Sequence, residues 1–193
     1  IKKLILILTG NSLFNGDSLL FEKNIKNIKN YGEYGIGKST LWVNKNTSAN
    51  IFSVDTSLVW VNKIKNKLQK HNNIDIGFID LGEISEWGRP KSYINRKYIF
   101  NYIDYIWTKD IKPDFVLIDG RFRVSCFLHS LITGNPGTKI IFDDYTNRHY
   151  YHIVEEYVMP LEVSKNQALF IIPEKLDVEN IRKTIEDFIH VFD

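Results

Sequence analysis

The chain has 193 residues, 44% of them hydrophobic and 25% charged, and its 25 basic and 23 acidic side chains leave a net charge of +2. That length and balance fit one globular domain with a sizeable core and argue against a nucleic-acid binder. The single cysteine, Cys126, excludes an internal disulfide framework and points to a reducing, cytoplasmic setting.

The first apolar run, Leu4–Leu8, is far shorter than the roughly 20 residues of a membrane-spanning helix. No segment is long enough to span, so no membrane partner is expected. Lys2 and Lys3 precede the run, but no small-residue cleavage site follows it, so it reads as a strand or packing arm. The chain opens at Ile1 rather than Met, which suggests a piece of a longer protein, with a fused domain as a candidate partner. Apolar residues at 19, 20, 21, 25 and 28 predict an amphipathic helix over Ser18–Tyr31, so that residues 1–30 form an N-terminal arm and helix. Asn50–Ser57 reads as a strand ending in Asp55, and Leu58–His71 as a helix whose lysines lie on a solvated face. Ile74–Gly82 is a strand with a turn, and Ser92–Trp107 an aromatic-rich helix. Pro113–Gly120 is a continuous apolar strand, the pattern of a strand covered on both faces. Val124–Ile132 is a buried helix in which Cys126 reads as an inert thiol and His129 as a core histidine. Asn135–Tyr145 is a turn and a second covered strand, His149–Val158 a helix, and Leu161–Pro173 an antiparallel hairpin. Asp177 is placed to cap a last helix, Val178–Phe192. No repeat or linker divides the chain, so residues 1–193 are read as a single domain.

Strands that alternate with helices predict an α/β domain with a mostly parallel sheet covered on both faces. Ligands of such sheets bind beyond the carboxyl ends of the strands. The residues to examine there are Glu33, Asp55, Asp80, Asp119, Asp143 and Asp144.

The stretch "YGEYGIGKST", residues 31–40, admits two readings. Gly32, then four residues, then Gly37-Lys38-Ser39 fits a phosphate-binding loop, and "FVLID" would then be the strand ending in a magnesium-holding Asp. Against it, no apolar strand directly precedes the loop, and Glu33 brings a carboxylate to a site meant for phosphate. The other reading makes "NYGEYG" a short first strand and nucleoside-binding turn, with Gly35 and Gly37 allowing close backbone approach. Asp55 then lies at the end of the second strand, where an acidic residue meets ribose hydroxyls. A kinase or ATPase using Gly32–Ser39 and a non-catalytic binding module stay open beside the nucleoside-turn reading.

Over most of its length the chain resembles the Rossmann-like S-adenosylmethionine-dependent methyltransferases. "EYGIGKSTLWV" looks like their first motif, with Ser39 in place of the third Gly. "SVDTSLVWV" looks like their second motif, "FIDLGEISEWGRP" like the segment after the third strand, and "LIDGRFRVSCF" and "IIFDDY" like the fourth and fifth strand ends. The resemblance implies a three-layer Rossmann-like fold with a C-terminal antiparallel hairpin. It implies S-adenosylmethionine as cofactor, held at Glu33, Tyr34, Gly35, Gly37, Ser39 and Thr40, with Asp55 on the ribose, Asp80 near the adenine and Asp119 also among the cofactor-binding residues. "LIDG" and "FDDY" are similar to the metal-dependent O-methyltransferases of catechols and sugars, which implies Mg2+ or another divalent cation on Asp119, Asp143 and Asp144. A hard cation there would lower the pKa of a sugar hydroxyl and orient it. Asp119 and Asp144 are the expected catalytic carboxylates, with His129 and His149 as other candidate bases.

In this chain "DGRFR" stands where some sugar methyltransferases carry a further acidic residue, so Arg121 and Arg123 are read either as phosphate-binding groups for a nucleotide sugar or as surface ion-pair partners. Tyr145 and His149 are expected to wall the acceptor pocket, with Trp87 near the adenine, and Trp42 and Trp60 in the core. The expected partner is a small sugar or nucleotide-sugar substrate, with self-association into a homo-oligomer as a further expectation.

Overall fold

In the computed structural model, residues 13–14, 18–68 and 73–193 are described. Five parallel strands form most of one sheet: β1 (Asn30–Tyr34), β2 (Asn50–Asp55), β3 (Ile74–Phe78), β4 (Phe115–Ile118) and β5 (Lys139–Phe142). A hairpin of β6 (Glu162–Ser164) and β7 (Gln167–Ile171) completes it, in the order β3-β2-β1-β4-β5-β7-β6, with β7 antiparallel to both β5 and β6. The expected three-layer fold with its C-terminal hairpin is therefore present.

The alternation of side chains along each strand builds two cores. Tyr34, Val54, Val116, Ile118, Ile140, Phe142 and Phe170 point to one face. There they meet α4 (Ile99–Asp104), α5 (Arg123–Thr133) and α6 (Val178–Phe188). Tyr31, Ile51, Phe115, Leu117, Ile141 and Leu169 point to the other face, against α1 (Leu19–Asn24) and α2 (Lys38–Asn46). At the β3 edge, α3 (Leu58–Lys65) packs Val61 and Ile64 on Ile76. The apolar reading of β4 is met in full, since all four of its residues are buried.

Several helices are shorter than their periodicity predicts. The first ends at Asn24, because Asn27 takes a left-handed backbone (φ 66°) that stops helical geometry. Asn30 and Tyr31 then join β1, where Tyr31 stacks on Phe115 at 6.1 Å between ring centroids. The Ser92–Trp107 stretch keeps α-helical form only over α4 and tightens to 3-10 turns at Arg96–Tyr98 and Tyr105–Trp107. His149–Glu156 is a 3-10 rather than an α-helix. Leu4–Leu8 and residues 69–71 lie outside the described residues. No helix among the described residues is long and apolar enough to cross a membrane.

The final helix stops at Phe188, and the chain turns back over the sheet's carboxyl edge. Phe192 lies 4.4 Å from the Tyr93 ring and edge-on to Phe122, and Asp193 accepts the Arg123 N–H at 3.0 Å. At the other end of α6, Asp177 caps as expected, its carboxylate accepting the Asn180 N–H. Asp177→Ala is expected to cost about 1 kcal/mol of unfolding free energy, and Asp177→Ser much less. Urea titration of the two variants checks this, and equal losses would remove the cap as the cause.

Candidate functional site

Reading outward from the middle of the sheet, β2 and β3 lie on one side of β1, and β4 and β5 on the other. The order therefore reverses between β1 and β4, and the crevice beyond their carboxyl ends is where sheets of this kind take ligands. Two turns meet there. Gly35 has φ +83°, and a Cβ on it would fall 2.6 Å from the Gly120 Cα. A Cβ on Gly120 would fall 2.1 Å from the Tyr102 hydroxyl and 2.7 Å from the Gly35 nitrogen. The two backbones touch, and only glycine permits it. Gly37 differs: a Cβ there would meet nothing within 4 Å. Its bare backbone borders open space.

The turn is held from beneath. Glu33 is fully buried on the α2 side of β1. Its carboxylate accepts hydroxyls from Tyr31 (3.0 Å), Thr40 (2.6 Å), Ser53 (3.1 Å) and Ser39. Thr40 in turn accepts the Gly37 N–H at 2.8 Å. The Tyr34 ring lies in the opposite core, where its hydroxyl donates to the Ile103 carbonyl and accepts from Trp107 Nε1. Of the residues expected to line the cofactor turn, Glu33, Tyr34, Ser39 and Thr40 therefore form its floor, while Gly35 and Gly37 form its surface.

This wiring removes the phosphate loop. The N–H groups of Gly35, Ile36 and Gly37 go to the Val54 carbonyl, the Asp55 carboxylate and the Thr40 hydroxyl. A triphosphate nest needs those donors free.

Asp55 closes the β2 side. It accepts the Ile36 N–H at 3.1 Å and the Ser57 N–H at 2.7 Å, and burial pushes its carboxyl up to about 6 against those bonds and the nearby Arg121 charge. Beside it, Thr56 donates to the Gly88 carbonyl at 2.6 Å, which brings the loop after β3 over the end of β2. That loop carries Trp87, left-handed (φ 63°) and exposed. Asp80 is exposed and accepts the Gly82 N–H in a local turn, one residue beyond the Ile79 N–H that donates to the Asp55 carbonyl.

On the β4 and β5 side, ligand-type oxygens of Asp119, Asp143 and Asp144 lie within 4.8 Å of one another, as the strand-end reading anticipated. Burial raises the Asp119 carboxyl while Arg123 draws it back down, and burial with the Asp119 charge pushes Asp143 up to about 8. Gln167 donates to Asp143 at 2.7 Å, and Arg148 pairs with Asp144 at 3.1 Å. Neither Gln167 nor Arg148 was expected at the site. Both approach from outside the motifs, one from the hairpin and one from the loop after β5.

The two arginines of "DGRFR" part company. Arg121 is half-buried, its charge helps hold down the carboxyls of both Asp55 and Asp119, and its Nε is buried without a hydrogen-bond partner. Arg123 is turned inward at the start of α5 and is buried among strand-end acids, so it is neither a surface ion pair nor a group open to substrate phosphate. Tyr145 is also buried, stacked on His152 at 4.7 Å with its hydroxyl donating to Glu155 at 2.6 Å, so it supports the wall instead of facing a ligand. His149 is exposed and lies edge-on to His152. His129 bonds Asp104 at 2.7 Å on the helical layer, away from the strand ends.

Glu33 gives the site a pH signature. Burial pushes its carboxyl from 4.5 up to about 7 even with four hydroxyl donors. Between those values the unfolded chain releases the proton and the folded one keeps it, so stability falls as pH rises. Asp55 and Asp143, also raised, act in the same direction. Unfolding free energy measured by urea from pH 5 to pH 8 should decline, and Glu33→Gln should flatten part of that decline. An equal slope in the variant would overturn the assignment.

No family model matches the sequence, and no curated protein matches it. Solved structures do. The chain is similar to a methyltransferase-like protein from Silicibacter pomeroyi at 26% identity and TM-score 0.78, over 89% of this chain and 92% of that one. It is similar to the N-methyltransferase NodS from Bradyrhizobium japonicum, crystallised with S-adenosyl-L-homocysteine, at 12% identity and TM-score 0.54, over 90% and 98%. An O-methyltransferase from Bacillus cereus, also with S-adenosylhomocysteine, aligns at 17% identity and TM-score 0.50, over 79% and 76%. Strand order, the glycine turn and these likenesses agree that the chain has the Rossmann-like fold of the S-adenosylmethionine-dependent methyltransferases.

Proposed function

We propose that the chain is an S-adenosylmethionine-dependent O-methyltransferase acting on a small molecule, with a sugar hydroxyl, on a nucleotide sugar or glycan precursor, as the acceptor. The observation that carries this reading is the bare backbone of Gly37 beside open space, in the turn after β1 whose preceding residue, Ile36, gives its N–H to the Asp55 carboxylate. The fold supports it, as does the S-adenosylhomocysteine found in two proteins of similar fold.

The residues present fit the cofactor. Gly35 and Gly37 would let it lie against the turn, Asp55 would meet the ribose, and Asp80 and Trp87 would border the adenine. When bound, the cofactor supplies an electrophilic methyl group on a sulfonium. The protein's share is to hold an acceptor oxygen in line with that methyl and to receive its proton. Asp119 is the most exposed carboxylate of the cluster and sits beside the Gly35–Gly120 contact. It is better placed to receive the proton than Asp144, which two guanidinium groups hold. Two cations could balance these acids, a divalent ion or Arg123. Arg121 is the group left to meet a substrate phosphate, since Arg123 is engaged inside.

Calorimetric titration with S-adenosylmethionine, and with ATP and magnesium in parallel, tests the reading. Binding of the first and not the second is expected. Gly37→Ala, which adds a methyl to open space, should leave the fold intact but weaken that binding at least about tenfold, and Asp55→Ala should do the same by about 10- to 100-fold through loss of a charged hydrogen bond. Failure of the wild-type chain to bind S-adenosylmethionine would favour a non-catalytic module of the same fold. Arg121→Ala should abolish nucleotide-sugar binding and spare S-adenosylmethionine; unchanged nucleotide-sugar affinity would remove the phosphate role.

A further inference from the structure

Three clustered carboxylates at the ends of β4 and β5 invite a divalent metal ion, but a cation of the protein's own already lies among them. Arg123 is only 2% exposed. Its Nη2 pairs with Asp119 Oδ1 at 3.1 Å and its Nη1 with Asp144 Oδ2 at 3.4 Å. Nη1 also donates to the Asp143 carbonyl at 2.7 Å, and Nε to the Gly120 carbonyl at 3.0 Å. One planar guanidinium thus joins the ends of two neighbouring strands and touches all three acidic residues.

Other groups complete the set. Arg148 takes Asp144 at 3.1 Å and donates to the Tyr151 hydroxyl at 2.8 Å, while Gln167 takes Asp143 Oδ1 at 2.7 Å. Each carboxylate already has a donor. Two guanidinium groups stand against three carboxylates, which removes most of the mutual repulsion that would otherwise draw in a hard cation. A guanidinium is permanently charged and matches carboxylates with a rigid fork, so it holds this place at any working pH.

The backbone is bent to allow it. Phe122, immediately before Arg123, and Asp144 both adopt left-handed conformations, φ 55° and 56°. Side chains other than glycine seldom take that region, and a buried aromatic residue there is an outlier held by its surroundings. Phe122 is the N-cap of α5, and Arg123, the first residue of that helix, is buried against the strand ends. Asp144 turns its carboxylate back between Arg123 and Arg148.

We infer that the acidic cluster at the ends of β4 and β5 is an arginine-filled site rather than a divalent-metal site, with Arg123 as the positioning residue that holds Asp119 and Asp144 toward the crevice. The inference rests on the methyltransferase reading only for what the crevice does, not for what neutralises it. It differs from the metal dependence that the "LIDG" and "FDDY" motifs implied. The acids are as expected, and Arg123, three residues beyond "DG", takes the ion's place.

The test is a titration of the metal-stripped full chain with Mn2+, followed by the loss of the free-ion electron paramagnetic resonance signal, with and without S-adenosylhomocysteine. No saturable binding tighter than about 1 mM is expected, a range in which even weak protein calcium sites fall. Arg123→Met, which removes the charge and keeps much of the volume, should create saturable binding, and adding Asp143→Asn should remove it. If Arg123→Met does not fold, the wild-type titration still decides. Saturable one-to-one binding tighter than about 1 mM in the wild type, abolished by Asp119→Asn, would overturn the inference. S-adenosylmethionine affinity measured in chelator and in magnesium separates the two questions. Equal affinity in both is expected, whereas absence of cofactor binding in both would sink the methyltransferase reading and leave the Mn2+ result standing.

Discussion

Gly35 and Gly120 meet backbone to backbone where β1 and β4 leave the sheet, and neither position has room for a methyl group. That contact sets the geometry around it. It brings the ends of two neighbouring strands close enough for their turns to share one crevice, and it places Asp119 at the crevice wall with its N–H given to the Tyr34 carbonyl. It also frees the next glycine, Gly37, to present bare backbone on the open side. The Tyr102 hydroxyl, which accepts the Arg121 N–H at 3.1 Å, wedges α4 against the same point. The helical layer, the sheet and the crevice are thereby joined at one place.

Beneath this contact the polar groups are internally consumed. Glu33 gathers hydroxyls from β1, β2 and α2, and its burial is tolerable only because four donors replace water. The result is a turn with little freedom to reshape, since its N–H groups are spoken for as well. A ligand here meets a preformed surface, which reduces the ordering cost of binding. Across the crevice, the acids of β4 and β5 are matched to arginines from α5 and from the loop after β5 in the same way.

Much of this was legible from the residue order. "FVLI" and "IIF" read as strands because a doubly covered strand is a continuous apolar run, and the acids that follow them lie together at the strand ends. What periodicity could not show were departures that hang on single backbone angles. Asn27 ends α1 early, and Phe122 sends Arg123 inward while Arg121 stays near the crevice. In the sequence the two arginines look equivalent, two residues apart beyond a strand end. One left-handed residue between them separates a buried cation from a half-buried one. Arg148 and Gln167 carried no local signal, because their link to the strand-end acids exists only once the sheet is assembled.

The last residues of the chain fold over the same edge. Phe192 sits against Tyr93 and Phe122, and Asp193 holds the first N–H of α5. Anything attached after Asp193 would therefore emerge at the crevice rim rather than at the back of the domain. A fused partner or an affinity tag at that end would crowd the crevice, whereas one at the amino-terminal ends of the strands would not.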